Sequence, residues 1–244
     1  MSSRSRHSQN FSKCQRWLYE IRELTLSADG PGELLVCGIM ATMRHHAVIS
    51  GTGRAGTSLL VKLLSAVGLD TGHDRTAMHW YAHARAGLEL DVRDAEAPYV
   101  VKSPWFCDYA GEVLSDPNIA IDHVFVPIRD LAAAAASRQH VVDTAPVEYA
   151  EVPPSGVPGG LWYTDDEAEQ ERVLLDQLYK LLLAVSGYGV PVTLIRYPLL
   201  TRDPEYLYAK LQPVLEGIEY QEFATAFSSV VQPELVHQFS ESDS

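Results

Sequence analysis

Residues 51–58 carry the residue types that bind an anion. They read Gly-Thr-Gly-Arg-Ala-Gly-Thr-Ser and follow an apolar run at 47–50. Glycines in such a turn let the backbone bend closely around a ligand, and the first amides of the helix that follows point at that ligand. The residues predicted to hold the anion are Gly51, Gly53, Arg54, Ala55, Gly56, Thr57 and Ser58. The segment therefore predicts a phosphate-type site between a strand and a helix.

One position separates this segment from the loop of nucleotide triphosphatases. That loop reads Gly-x4-Gly-Lys-Ser/Thr, and its lysine reaches the terminal phosphates. Here Thr57 stands at the lysine position, and the basic residue is Arg54, inside the turn. We therefore expect an anionic ligand, but not a Mg-ATP site built in the usual way.

Two further basic residues stand at the predicted carboxyl ends of strands. Arg129 follows the apolar run 123–128, and Lys102 closes the run 98–102. Ligands of open parallel sheets bind at this edge. Ser137 lies eight residues beyond Arg129, about two turns into the next helix. A guanidinium and a hydroxyl placed in this way can bind one phosphate group together.

The elements that position these residues alternate between apolar runs and helical patterns, which indicates a parallel sheet with crossover helices. The predicted strands are 47–50, 98–102, 123–128 and 190–196, and the predicted helices are 57–67, 131–138, 165–186 and 203–215. The predicted fold class is α/β, a P-loop-type three-layer α/β/α arrangement with a central parallel sheet. A length of 244 residues suits one such domain.

The chain is expected to divide into an N-terminal extension and one domain. Residues 1–42 begin with a polar stretch and are expected to be partly disordered or dispensable. Residues 43–244 are expected to form the domain. Within it, the stretch 139–165 is rich in Pro, Gly and Tyr and is predicted to be a long loop that serves as a lid or acceptor loop. Trp162 and Tyr163 in this loop are candidates for lining an acceptor pocket.

The charge balance argues against polyanionic partners. There are 19 Lys and Arg residues against 32 Asp and Glu residues, and the net charge of −13 opposes nonspecific attraction to nucleic acid or an anionic membrane. The three cysteines form no Cys-x-x-Cys pair, and no apolar run reaches transmembrane length. We expect a cytoplasmic protein that acts on a small molecule or carbohydrate. The oligomeric state is not predicted.

Four segments, in order, resemble signatures of the sulfotransferase superfamily. Residues 53–59, Gly-Arg-Ala-Gly-Thr-Ser-Leu, look like its phosphosulfate-binding loop. The spacing from Arg129 to Ser137 resembles its second signature. Residues 99–104, Tyr-Val-Val-Lys-Ser-Pro, resemble its strand ending in Lys-Ser/Thr, and 194–205 resemble its late strand and helix start. Together these matches cover residues 47 to about 215.

The resemblance implies an enzyme that transfers a sulfuryl group from 3′-phosphoadenosine 5′-phosphosulfate to a hydroxyl or amine of a small molecule or sugar. It implies that Thr57 and Ser58 bind the 5′-phosphate and that Arg129 and Ser137 bind the 3′-phosphate. Arg54 occupies the family's basic loop position, where a fixed cation stabilises the charge that develops on the bridging oxygen. No metal is expected, because these groups can meet the donor's charge.

The general base on the acceptor side is not identified by the sequence. Many cytosolic members of the family place a histidine just after a Lys-Thr pair, whereas proline and tryptophan follow Lys102-Ser103 here. The candidate bases are His79, His83, Glu89 and Asp91. The predicted catalytic residues are Arg54, Lys102 and His79. The C-terminal Arg-Lys-Gly-x-x-Gly segment of the cytosolic subfamily has no counterpart.

Two other interpretations stay open at this point. The first is a P-loop small-molecule kinase, which the frame at 51–58 permits and which Thr57 at the lysine position disfavours. The second is a noncatalytic nucleotide-binding relative that keeps the anion site and lacks the base. Binding of Mg-ATP would favour the first, and donor binding without turnover would favour the second.

Overall fold

The computed structural model describes residues 43–73, 80–84 and 86–231. Strands and helices alternate along these residues. In chain order they are β1 (Arg44–Ile49), α1 (Thr57–Ala66), β2 (Trp80–Tyr81), β3 (Ala86–Gly87), β4 (Val100–Lys102), α2 (Phe106–Ser115), β5 (Ile119–Ile128), α3 (Leu131–Asp143), α4 (Gln170–Gly187), β6 (Val192–Arg196), α5 (Pro204–Leu211) and α6 (Tyr220–Val230). Short 3-10 helices lie at Val147–Tyr149, Pro154–Gly156, Glu167–Glu169, Leu199–Thr201 and Gln212–Val214.

Strands β4, β1, β5 and β6 form, in that order, a four-stranded parallel sheet. In its centre, Val48 of β1 lies opposite Val101 of β4 and Val124 of β5. Branched side chains at adjacent positions pack well on a pleated surface. Strands β2 and β3 pair antiparallel as a separate hairpin. The sheet thus brings the ends of β4, β1 and β5 next to one another.

Helices cover both faces of the sheet. Successive residues of a strand point to opposite faces. Ala47 and Ile49 pack on one face with α1, α5 and α6, whereas Val48 packs on the other face with α2 and α4. Burial on both faces explains why the strands read as apolar runs. The predicted α/β class, with a central parallel sheet flanked by helices on each side, is confirmed.

Helix α3 runs further than the sequence predicts. The Asp130 carboxylate caps its first turn, as its position before the helix suits. The helix continues to Asp143, into the segment expected to be a loop. Near its end, Gln139 Nε2 donates to Asp143 Oδ1 at 2.7 Å, and Thr144 Oγ1 donates to the His140 carbonyl oxygen at 2.6 Å. These bonds stabilise the last turns, so the irregular segment begins at 144.

The sequence pattern missed α2, α6 and the β2–β3 hairpin. In α2, Phe106, Ala110 and Val113 form a short buried stripe, and in α6 the buried residues are Phe223 and Phe227. Such short stripes are hard to separate from an apolar loop by periodicity alone. The two-residue strands of the hairpin carry no alternation to detect.

Two expectations fall outside the described residues, namely the extension 1–42 and the predicted catalytic residue His79. In the part of the chain that the structure describes, no helix has the length and apolar character needed to cross a bilayer.

His46 is a buried histidine whose neutral form suits the fold. Its Nδ1 nitrogen donates to the Pro98 carbonyl oxygen at 2.7 Å, and its buried Nε2 has no hydrogen-bond partner in the described chain. Burial lowers the pKa of His46 below its ordinary value of 6.5. The unfolded chain keeps the ordinary pKa and therefore binds the proton first, so stability falls as pH drops through 6.5.

We expect the urea midpoint of unfolding to decrease from about pH 8 to about pH 5.5, and to decrease less in His46→Gln. Glutamine can still donate to Pro98 but takes up no proton. His45→Gln is the matched control, because His45 is exposed and pairs with Asp122. Equal pH dependence in His46→Gln and the wild type would exclude His46 as the cause.

Candidate functional site

The site lies where two neighbouring strands send the chain in opposite directions. After β1, the chain next enters this sheet at β4, which lies on the side of β1 away from β5. After β5, it next enters the sheet at β6, which lies on the side of β5 away from β1. The loops after β1 and β5 therefore diverge, and a crevice opens at the carboxyl ends of the two strands. A cavity of about 410 Å³ occupies this position.

Seven of the nine residues predicted to bind the donor line this cavity, together with the predicted catalytic residue Lys102. Those from the loop and from the start of α1 are Gly53, Arg54, Gly56, Thr57 and Ser58. Lys102, Arg129 and Ser137 join them from β4, from the end of β5 and from α3. Gly51 and Ala55 are buried in the same loop. Among these predicted residues, the structure gathers into one cavity positions as far apart in the sequence as Gly53 and Ser137.

The loop backbone adopts left-handed conformations that glycine accommodates. The φ angles of Gly53 and Gly56 are 68° and 91°. A Cβ on Gly53 would lie 2.7 Å from Arg138 Nη2, and one on Gly56 would lie 2.7 Å from Leu200 Cδ1. Arg54 also has a positive φ, 54°, which is uncommon for a residue with a side chain. Such strain is concentrated at binding sites and active sites.

Gly53→Ala is expected to lower the free energy of unfolding by about 1–3 kcal/mol, because it combines an unfavourable φ with a clash against Arg138. Gly68→Ala is a matched control. Gly68 also has a positive φ, 94°, but a Cβ there would meet no heavy atom within 4 Å in the described chain. Chemical denaturation should show the larger loss for Gly53→Ala. Equal losses would mean that the contact with Arg138 has no effect.

Arg54 connects the loop to the two residues that were predicted to bind the second phosphate. Its Nε donates to Ser137 Oγ at 3.2 Å, and its Nη1 donates to the Ala84 carbonyl oxygen. Arg129 Nη1 donates to the Arg54 carbonyl oxygen at 3.0 Å, and its guanidinium lies 4.6 Å from the centre of the Tyr197 ring. Arg54, Arg129 and Ser137 therefore form one hydrogen-bonded group beside the cavity.

Lys102 is a buried ammonium group that is hydrogen-bonded in three directions. Its Nζ donates to Ser58 Oγ at 2.8 Å, to the Gly87 carbonyl oxygen at 2.6 Å and to Glu89 Oε1 at 2.7 Å. Burial lowers the pKa of Lys102, and the Glu89 carboxylate opposes that shift. Lys102 thus joins the start of α1 to the chain that follows the β2–β3 hairpin.

Arg138 is a site residue that the sequence did not single out. Its side chain is buried, and its two Nη atoms donate to the carbonyl oxygens of Thr52 and Gly160, at 2.7 Å and 2.8 Å. Burial, with the Arg54 charge as a second cause, lowers the pKa of Arg138 to about 9. The signal in the sequence is slight, an arginine directly after Ser137 in an alanine-rich helix.

The cavity concentrates positive charge in an acidic protein. Five cationic side chains line its described wall: Arg54, Lys62, Lys102, Arg129 and Arg138. Glu89 is the one carboxylate in that described lining. Clustered like charges repel, and burial weakens solvent screening, so this arrangement favours an anionic ligand.

Of the described candidate bases, Glu89 lies in the cavity lining. Its side chain is 24% exposed, and its Oε1 accepts from Lys102 and from the Gly87 amide. The Asp91 carboxylate instead pairs with Arg93 at 2.6 Å, which holds its pKa below the ordinary value. The His83 ring packs against Tyr149, with 5.3 Å between the ring centres. Neither Asp91 nor His83 is among the residues that line the cavity.

Apolar and aromatic side chains also line the cavity. Trp105, Pro104, Val157, Leu161 and Trp162 are among them. Trp162 stacks on Tyr163, with 5.5 Å between the ring centres, and the Tyr163 hydroxyl lies 2.5 Å from Asp108 Oδ2. Of the predicted pair, Trp162 lines the cavity, whereas Tyr163 is exposed and is not among the lining residues.

No family model, curated protein or solved structure matches this chain. Among the described residues, no group of three or more His, Cys, Asp or Glu side chains is placed to hold a metal ion.

Proposed function

We propose that this chain is a sulfotransferase-like enzyme with a P-loop-type donor site. It would transfer a sulfuryl group from 3′-phosphoadenosine 5′-phosphosulfate to a hydroxyl or amine of a small molecule or sugar. The observation that carries the proposal is the cationic cavity at the strand ends, in a chain whose net charge is −13. A donor with several anionic groups complements this cavity.

The cavity offers two neighbouring anion positions. One lies at the start of α1, where Thr57 and Ser58 add hydroxyl groups to the helix N-terminus. The other lies beside Arg129 and Ser137, which a hydrogen bond to Arg54 links to the first. We assign the 5′-phosphosulfate to the first position and the 3′-phosphate to the second.

An apolar lobe next to Arg129 suits the nucleoside. Its lining residues are Leu59, Tyr197, Val230 and Val231. An aromatic ring and aliphatic side chains at one end of an anion site can hold a planar base. Tyr197 connects these residues to the cationic lining, because its ring lies 4.6 Å from the Arg129 guanidinium, so one donor molecule could contact both.

The proposed reaction breaks the bond between sulfur and the oxygen that bridges it to the 5′-phosphate, and it forms a bond between sulfur and the acceptor atom. Negative charge passes to the bridging oxygen. Arg54 would stabilise this charge more strongly in the transition state than in the ground state. The partial burial of the site strengthens that interaction.

We assign the acceptor's proton to Glu89. Its Oε1 is already occupied by Lys102 Nζ, at 2.7 Å, and by the Gly87 amide, so Oε2 would take the proton. Lys102 thereby fixes the carboxylate beside the donor loop, because the same ammonium also binds Ser58. The apolar wall at Trp105 and Trp162 would hold the body of the acceptor.

A label-transfer experiment tests the proposed function. The purified protein is incubated with donor carrying sulfur-35 and a pool of small phenols, alcohols, amines and monosaccharides. We expect labelled organic product and an equal amount of adenosine 3′,5′-bisphosphate, with both formed at least about 10²-fold more slowly by Arg54→Met. Transfer of terminal phosphate from Mg-ATP to the same pool would support the kinase interpretation instead. Tight donor binding with no transfer would support the noncatalytic one.

A further inference from the structure

Arg138 joins two segments that both line the cavity. Its Nη2 donates to the carbonyl oxygen of Thr52, in the glycine-rich loop, at 2.7 Å. Its Nη1 donates to the carbonyl oxygen of Gly160, at 2.8 Å. Gly160 belongs to residues 154–162, which we call the wall segment and most of which line the cavity. One guanidinium group therefore spans from the donor loop to the acceptor side.

Apart from the bond to Arg138, the hydrogen bonds described for the wall segment stay within residues 153–170, and Val157 and Trp162 also pack against buried residues of α3. Within it, the Gly160 and Leu161 amides donate to the carbonyl oxygens of Val157 and Pro154. At its end, the Trp162 amide donates to Gln170 Oε1 at 2.6 Å, which attaches it to α4. The Arg138 guanidinium lies 4.7 Å from the centre of the Trp162 ring. Arg138 thus holds the segment both by a hydrogen bond and by an aromatic contact.

A purely structural role would not favour a charged side chain here. The Arg138 side chain is 6% exposed, and its buried Nε has no hydrogen-bond partner in the described chain. Its described hydrogen-bond partners are carbonyl oxygens rather than carboxylates. Burying a cation without an opposite charge is costly. An anion in the adjacent loop would supply the opposite charge and reduce that cost.

We propose that Arg138 is a positioning residue that clamps the wall segment onto the glycine-rich loop. An anion bound in the loop strengthens the clamp, so the acceptor-side wall becomes ordered when the donor is bound. This second step rests on the proposed function, whereas the clamp itself does not. The consequence is an order of binding, in which the donor precedes the acceptor.

Hydrogen exchange of the wall segment tests the clamp. The variants are Arg138→Gln, which removes the charge, and Arg138→Lys, which keeps it and loses the fork of two Nη donors. Arg172→Gln is the control, because Arg172 is an exposed arginine on α4. Without ligand, we expect wall-segment amides to exchange about tenfold faster in Arg138→Gln than in the wild type. In Arg138→Lys we expect an exchange rate between those two. Amides of β1 and β5 report global unfolding in the same samples.

The second arm adds adenosine 3′,5′-bisphosphate. We expect it to slow wall-segment exchange in the wild type and in Arg172→Gln, and to leave that exchange unchanged in Arg138→Gln. Equal exchange of the segment in Arg138→Gln and the wild type, without ligand, would overturn the clamp. Faster exchange in Arg138→Gln, together with no effect of bisphosphate on the wild type, would support the clamp and overturn the coupling. Calorimetric titration of the wild type with the same bisphosphate decides separately whether the proposed donor site binds it.

Discussion

Arg54→Met is expected to reduce turnover about 10²- to 10³-fold, the size of effect seen when one preorganised transition-state donor is removed. The guanidinium lies at the centre of the hydrogen-bonded group with Ser137, and the Arg129 guanidinium holds its backbone carbonyl. Its charge is thereby fixed before the reaction starts. Methionine keeps much of the side-chain volume and removes the cation.

Arg54→Lys and Arg172→Met complete this test. Lysine restores the charge but not the planar group of donors, so it should recover part of the lost turnover. Arg172→Met removes an arginine that is exposed on α4, and it should be as active as the wild type. Turnover should be measured with saturating donor, so that weaker binding does not contribute. Near-normal turnover in Arg54→Met would contradict the role assigned to this residue.

Glu89→Gln is expected to reduce turnover about 10²- to 10⁴-fold, the range typical of a lost general base. The amide oxygen can still accept from Lys102, which now bonds Oε1 at 2.7 Å, so the local structure should be kept. The amide takes up no proton from the acceptor. Because the local structure is kept, we expect adenosine 3′,5′-bisphosphate to bind Glu89→Gln within a few-fold of its wild-type affinity.

Asp91→Asn is the matched control for Glu89→Gln. Asp91 lies two positions away and pairs with Arg93. Its loss should leave turnover almost unchanged. Full activity of Glu89→Gln would return the role of base to the other candidates, including His79.

The glycine-rich loop could be predicted because its determinants are local. Three closely spaced glycines and the start of a helix at Thr57 are visible in one short segment, and α1 begins where the pattern predicts. Arg129 could be placed for a similar reason, since any residue directly after an apolar strand of a parallel sheet lies at the ligand edge. The order of the strands then brought these two predicted positions together.

Arg138 could not be predicted, because its partners are distant. The two carbonyl groups that it binds are 86 and 22 positions away, on segments without periodic pattern. Its burial depends on how the wall segment returns to α3. The choice of Glu89 among the candidate bases has the same origin, because residues 86–92 show no pattern that distinguishes Glu89 from Asp91. The two carboxylates are separated by their contacts in the fold, because Glu89 lines the cavity and bonds Lys102, whereas Asp91 pairs with Arg93.

Calorimetric titration with adenosine 3′,5′-bisphosphate tests the donor site most directly. The titration is made beside ATP with and without Mg²⁺, on the wild type and on Arg129→Ala. We predict that the wild type binds bisphosphate and that Arg129→Ala binds it about 10- to 100-fold more weakly, as expected for the loss of a charged hydrogen bond. Binding of Mg-ATP without binding of bisphosphate, or an Arg129→Ala affinity equal to that of the wild type, would contradict a site for a sulfuryl donor.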